Sequence, residues 1–390
     1  MQTCRMRRSV GNYSKKSLGM YRKILLLGCL LPFLASCYND LYNVSATYEV
    51  ELFGNASIKE FVSDSERIRL QSDDAFIISE ISKICCDTAF IYLLNGKEIL
   101  VFDADGVYKS KISRQGRANT EYVAITDFDV YENDIYILSN PQRKICVYSA
   151  DGTFIRSVDL DDWYHNLSVG NGYILLYSEK SNGQMYDVVK IDFNGRVQNK
   201  FVPFKTQNGV RYGTSPFYEI GTDDYLFTFP YDNNIYRYVN NEVYPFCTLK
   251  LSSAINLSAN ELYESDYDSI KKRLNGETYL RRVIGASFDE DTLYLMMEVN
   301  YATRALRHLL CRIDMASGRV DTYLCGEQIE PEFPYFNRLT AMIGDTVYSV
   351  VNSYYMNHVD GIINGVKEDL PYDKLDEYYL YKYYLKTNSK

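Results

Sequence analysis

Histidine is scarce in this chain, with 3 in 390 residues, and tryptophan scarcer, with one. His165, His308 and His358 lie far apart in sequence, and none stands in a motif with a carboxylate and a nucleophile. A hydrolytic triad is therefore not signalled, although such groups assemble in space rather than in sequence. Nine cysteines occur, none at a metal-ligand spacing, so no metal site is expected. No glycine-rich loop follows a strand and opens a helix, which removes the usual nucleotide cradle, and no cofactor is expected. No apolar run reaches the roughly 20 residues that a bilayer-spanning helix needs. An excess of basic charge is missing too. Removing the seven basic residues of 1–36 from 42 leaves 35, against 51 acidic residues, a net of −16. Nucleic-acid affinity rests on neutralising phosphates, so nucleic acid is excluded as a partner.

What is present is a phrase that recurs. It reads Ile99 to Gly106 (ILVFDADG), then Ile145 to Gly152 (ICVYSADG), then Val188 to Gly195 (VVKIDFNG), its glycines 46 and 43 residues apart. A period in the forties with several short strands per period marks β-propeller blades. Six blades can be laid out, with inner strands near Ile81–Cys85, Thr126–Val130, Leu167–Val169, Tyr218–Gly221, Val283–Phe288 and Leu339–Ile343. Asp105-Gly106, Asp151-Gly152 and Asn194-Gly195 suit the tight turns between third and fourth strands. Asp103-Ala104-Asp105-Gly106 hints at a calcium loop, but the run of oxygen ligands is too short and a turn is the better reading. The sixth blade lacks its outer strand, and Arg67-Ile68-Arg69-Leu70 has no place in the first. A ring must close or leave an open edge, so Ile68 and Leu70 are expected to complete the last blade. The fold class is all-β, a six-bladed propeller of four-stranded antiparallel blades occupying 65–390. A helical insertion is expected at about 252–280, where Ser258 to Glu261 form a capping box, and a loop insertion at about 352–377.

The N-terminus reads as a targeting segment. Arg22 and Lys23 precede the apolar run 24–34, then Ala35, Ser36 and Cys37. Leu34-Ala35-Ser36-Cys37 resembles the lipobox of bacterial lipoproteins, and Met20 would make an ordinary signal start. The resemblance implies a signal peptide over 1–36, a lipid on Cys37 and a linker over 37–64. Each buried methylene adds about 0.8 kcal/mol, so several acyl chains anchor a soluble domain durably. The expected location is the bacterial cell envelope, with the outer membrane as the anchoring bilayer and its face left open. The remaining cysteines 85, 86, 146, 247, 311 and 325 are expected mostly as buried thiols.

Once the blades are laid out, the chain resembles the six-bladed β-propeller lipoproteins of Bacteroides-type bacteria, relatives of NHL-repeat propellers. The residues that carry this are 99–106, Gly116-Arg117, Glu121-Tyr122, 125–130, 135–138 and 145–148. Ala118-Asn119-Thr120 depart from the family's Gly-Pro-Gly-Glu-Tyr-like linker. The family brings no common activity with it. Junctions between blades lie on a face of the ring, so the ligand candidates are Trp163 and His165, with Arg114, Arg117, Arg211 and Tyr212 in comparable linkers. The aromatics could stack on a sugar or peptide, and the arginines could pair with carboxylate or sulfate. With no catalytic constellation in sight, the leading expectation is a non-catalytic module that binds a glycan, a peptide or an envelope protein. The rival is a polysaccharide hydrolase or lyase, with carboxylates or a His–Tyr–Arg group at one mouth of the central channel. A purely structural envelope protein is the third option.

Overall fold

The structure is a computed structural model. It describes residues 46–71, 76–79, 81–178, 186–203, 216–257, 261, 265, 267–303, 305–326, 330–336, 339–365 and 377–387. Two strands precede the first blade, β1 (Ala46–Val50) and β2 (Val62–Leu70). Blade one holds β3 (Ile81–Cys86), β4 (Phe90–Asn95), β5 (Glu98–Asp103) and β6 (Tyr108–Ile112). Blade two holds β7 (Asp127–Tyr131), β8 (Asp134–Ser139), β9 (Lys144–Ser149) and β10 (Phe154–Asp159). Blade three holds β11 (Asn166–Gly170), β12 (Tyr173–Tyr177), β13 (Tyr186–Asp192) and β14 (Val197–Pro203). Blade four holds β15 (Phe217–Gly221), β16 (Asp224–Thr228), β17 (Asn234–Val239) and β18 (Glu242–Leu251). Helix α1 (Tyr267–Leu274) leads to blade five, made of β19 (Tyr279–Asp289), β20 (Thr292–Asn300), β21 (Leu306–Asp314) and β22 (Arg319–Leu324). Blade six holds β23 (Leu339–Ile343), β24 (Thr346–Asn352) and, after helix α2 (Ser353–Asn364), β25 (Tyr378–Leu385).

Each blade is an antiparallel meander numbered outward from the axis, and β2 is the fourth strand of blade six. Ile68 stands opposite Leu380 and Leu70 opposite Tyr378, so the ends of the domain are knitted in one sheet as the sequence requires.

The blades hold together by alternation. In β4, Ile91 and Leu93 face one neighbour while Tyr92 and Leu94 face the other. Successive side chains on a strand point to opposite faces, so an apolar run feeds two seams at once. Six buried clusters result, one per seam. Cys85, Tyr92 and Val101 meet Phe128 and Tyr148 between blades one and two. Leu138 and Val147 meet Leu167 and Ile174 between two and three. Leu175 and Val188 meet Phe217 and Phe227 between three and four. Leu226 and Cys247 meet Leu295 and Cys311 between four and five. Met296 and Leu310 meet Val347 and Tyr383 between five and six. Leu380 and Ile68 meet Leu93 and Leu100 where the ring closes. Each such side chain contributes about 1.5–3 kcal/mol on burial. Cys85, Cys146, Cys247, Cys311 and Cys325 are buried in these layers or at their rims.

The recurring glycines serve the same seams. Gly106, Gly152 and Gly195 have φ of 82°, 84° and 83°, the left-handed region that a side chain resists. Each also lies against the outer strand of the preceding blade. A Cβ on Gly106 would stand 2.3 Å from the Arg69 carbonyl oxygen, and one on Gly195 would stand 2.9 Å from that of Asp159. The acids of these turns are occupied by backbone, as a turn demands. Asp103 Oδ1 accepts from the N–H groups of Asp105 and Val107. Asp192 Oδ1 accepts from those of Asn194 and Arg196.

Two expectations need correction. Part of the expected linker over 37–64 is folded: β1 adds a fifth strand, parallel to β18, on blade four. Its short Tyr48–Val50 alternation, with Thr47 and Glu49 outward, is easily lost beside a signal segment. The chain then crosses blade five, where Asn55 Oδ1 accepts from the Thr322 N–H at 2.7 Å and Asn55 Nδ2 donates to the Val320 carbonyl. Against the expected loop over 352–377, α2 occupies 353–364. Asn352 caps it by accepting from the Tyr355 N–H, and Gly365 ends it at φ 70°. Tyr355, Met356, Val359 and Ile363 recur at helical spacing and pack on Tyr335 and Val351. An asparagine cap without a matching acid three residues on hides this start from a capping-box search. In the 252–280 insertion, α1 buries Ile270 and Leu274 on Leu257. Its expected capping box at Ser258 lies outside the described residues.

Candidate functional site

The six inner strands surround a central cavity of about 730 Å³. An inner strand has one side unpaired, and its N–H groups require acceptors. Blade two supplies them. Asp127 and Asp129, two apart on β7, fall on one side of the strand. Asp127 Oδ2 accepts from the Leu167 N–H at 3.0 Å and from Asn166 Nδ2 at 3.2 Å. Asp129 Oδ2 accepts from the Val169 N–H at 2.8 Å. Both carboxylates thus stitch β7 to β11, and a charged hydrogen bond of this kind contributes about 1.5–3 kcal/mol. From blade one, Lys83 Nζ donates to Asp127 Oδ1 at 2.7 Å.

Further along the channel the balance of charge changes. Lys83 is committed to Asp127, and the Asp127 and Asp129 charges hold its ammonium above the ordinary lysine value although burial opposes this. Asp129 is pushed up from the ordinary carboxylate value by burial, with Lys83 and the Val169 and Val130 N–H groups opposing. Glu219, on β15, is also pushed up, by burial first and then by the Asp129 and Asp223 charges. Its side chain is accessible yet deep in the ring, because it opens onto the channel. Apolar wall comes from Phe217, Ile284 and Met342. Burial pushes the Cys85 thiol well up and the Cys86 thiol to about 12, so neither is a thiolate nucleophile at neutral pH. Among the described residues no three His, Cys, Asp or Glu side chains converge on a metal position.

Of the residues singled out from sequence, His165 borders this cavity. Its backbone N–H donates to the Tyr177 carbonyl. Trp163 is 54% exposed, and its carbonyl accepts from Ser178 Oγ. Arg114 and Arg117 are exposed on the loop between blades one and two and do not line the channel. That loop is held by Glu121 and Tyr122, two of the residues that carry the family resemblance. Glu121 Oε2 accepts from the Ala118 N–H, and the buried Tyr122 hydroxyl lies 3.0 Å from the Ile112 and Lys97 carbonyls. Arg211, Tyr212 and Cys37 lie outside the described residues. Lys83, Asp127, Asp129, Asn166 and Glu219 escaped the sequence reading. The nearest signal is a polar residue at alternate positions of a first strand, as in Asp127-Phe128-Asp129 of blade two.

Comparison with known proteins agrees with the architecture. Residues 44–377 match the family described as a domain of unknown function, DUF4934. The crystal structure of a Bacteroides fragilis protein described as exported is similar, with a TM-score of 0.68 and 16% identity over 88% of this chain and 100% of that one. A DUF4221-family member from Bacteroides vulgatus has a TM-score of 0.54 and 10% identity over 84% of this chain and 98% of that one. At these identities the likeness speaks for the fold. No curated protein matches the chain.

Proposed function

Since the chain belongs to the DUF4934 family, we propose, from its channel, that it is a lipid-anchored extracytoplasmic propeller serving as a non-catalytic binding module. Its ligand, a glycan, a peptide or a segment of an envelope protein, enters the central channel. The observation that carries this reading is the commitment of the two blade-two carboxylates in the channel. Asp127 is taken up by Lys83, Asn166 and the Leu167 N–H, and Asp129 by the Val169 N–H. Groups so engaged hold a scaffold in shape and leave a preformed, amphipathic cavity, the usual setting for a ligand. The Leu34 to Cys37 tetrad and the resemblance to an exported protein support the location. A glycan and peptide screen, with capture from envelope extracts, tests the module, and complete silence in all three overturns it. Replacing Cys37 by Ala tests the anchor: the protein is expected to move from the membrane to the soluble fraction, and its retention on the membrane contradicts lipidation.

A second reading, a polysaccharide-processing enzyme, draws on Asp129 and Glu219. Both carboxyls are pushed up, as a general acid requires. Turnover of any glycan hit, abolished by Glu219→Gln, would favour it over simple binding.

A further inference from the structure

We propose that the end of the ring carrying the connections between blades lies against the lipid bilayer, with its exposed apolar side chains in the interface. This rests on the lipid-anchored part of the reading and says which surface the anchor brings to the membrane. Inner strands β7 and β11 run parallel, since Asp127 bonds to the Leu167 N–H and Asp129 to the Val169 N–H. In a ring of antiparallel meanders, the turns from first to second and from third to fourth strand then share one end. The turns from second to third strand and the connections between blades share the other.

The two ends differ in kind. Nine large apolar side chains are exposed among the described residues, and six of them stand at the connection end. Ile77 precedes β3 and Trp163 precedes β11. Phe53 follows β1, with its ring 5.9 Å from that of Tyr301, and Leu306 closes the turn that Tyr301 opens. On the neighbouring blade, Tyr354 and Ile362, with exposed His358 between them, recur every four residues along one stripe of α2. The other three, Val107, Ile155 and Val197, stand where outer strands start, at the turn end. There the turns from first to second strand carry Asp87, Glu132, Asp223, Glu290, Asp291 and Asp345, and those from third to fourth carry Asp105 and Asp151. Arg196 is the one base in these turns among the described residues. At the connection end, exposed Lys97, Arg114, Arg117 and Arg143 stand among the acids. An anionic lipid surface repels the first arrangement and tolerates the second, while aromatic and aliphatic side chains settle at the headgroup boundary. Reach is sufficient. Ala46 pairs with Cys247 midway along β18, and β1 runs from there towards the connection end, its five residues rising about 17 Å. Cys37 stands nine residues before Ala46, a span of at most about 30 Å. A lipid on Cys37 reaches the plane of either end, so the side chains make the choice.

Single-tryptophan fluorescence of the lipidated mature chain tests this, in vesicles of phosphatidylethanolamine and phosphatidylglycerol with and without brominated acyl chains. Trp163 is the native probe. A second chain carries Trp163→Phe with Ile362→Trp, and a third carries Trp163→Phe with Val107→Trp. Melting curves establish that both are folded. Emission from the first two is expected to shift to the blue and to be quenched by bromine, and emission from the third to do neither. Quenching at position 107, or its absence at position 163 or 362, in a chain that floats with the vesicles overturns the docking and leaves the anchor standing. A Cys37→Ala chain that is still quenched at Trp163 removes the anchor and keeps the docking. A native chain that does not float with the vesicles removes both.

Discussion

At the scale of single residues, the recurring glycines give a graded test. All three occupy the left-handed region, so alanine at any of them costs about 1–2 kcal/mol from the backbone alone. The space around them differs. A Cβ would meet backbone oxygen at 2.3 Å on Gly106, 2.9 Å on Gly195 and 3.3 Å on Gly152. Thermal melting should therefore rank Gly106→Ala as the most damaging, Gly195→Ala next and Gly152→Ala least. Equal losses at all three would mean that contact with the preceding blade does not matter. Glu298 gives a test in pH. Arg282 grips it through two bonds, of 2.6 and 2.9 Å, and His308 stands at 3.6 Å. Burial opposes its ionisation, yet the His308 and Arg282 contacts hold its carboxyl at about 2, below the ordinary 4.5. A lowered folded-state value means stability that is fully present above pH 4.5 and is lost as pH falls towards 2. Glu298→Gln should cost about 3 kcal/mol at neutral pH, by leaving the Arg282 guanidinium partly buried and unpaired. It should also flatten the acid limb of a stability–pH curve, and an unchanged limb would remove Glu298 from that role. The turn glycines were legible because φ > 0 leaves a mark in residue type. Asp127 and Glu219 were not, because a carboxylate on an inner strand looks in sequence like one on any exposed face.

At the scale of elements, the N-terminal strap matters most. Residues 46–70 run from the edge of blade four across blade five into blade six. Its removal uncovers Leu249, Leu324 and Leu385 and opens the edge of β25. A mature chain beginning at residue 76 should melt in a broad, less cooperative transition and aggregate through that edge. A peptide of residues 46–71 should restore the single transition, and unchanged melting without it would defeat the closure. The part played by β2 was visible in sequence, because a blade lacking a strand and a strand lacking a blade imply one another. The part played by β1 was not, since its parallel pairing with β18 continues no repeat. Helix α2 was missed for a related reason: its cap is Asn352, and its apolar stripe of Tyr355, Met356, Val359 and Ile363 is short and begins directly after the residues of β24.

At the scale of the whole molecule, six sheets each seal the next, and the ring leaves an amphipathic cavity on its axis. Repeat period and strand pattern reveal such a ring because every blade must repeat the same solution. The contents of the channel repeat nothing. Each inner strand contributes different groups, so the site emerges only when the six are brought together. The exposed perimeter residues that stood out in sequence, Trp163 above all, are the alternative place for a ligand. Screening the native chain, Ser168→Arg and Trp163→Ala against the same glycans and peptides separates the two. Ser168 lines the cavity, and an arginine there fills it, while Trp163 lies outside. The channel account predicts that binding disappears in Ser168→Arg and persists in Trp163→Ala. Binding that survives the filled channel and is lost with the tryptophan would contradict it.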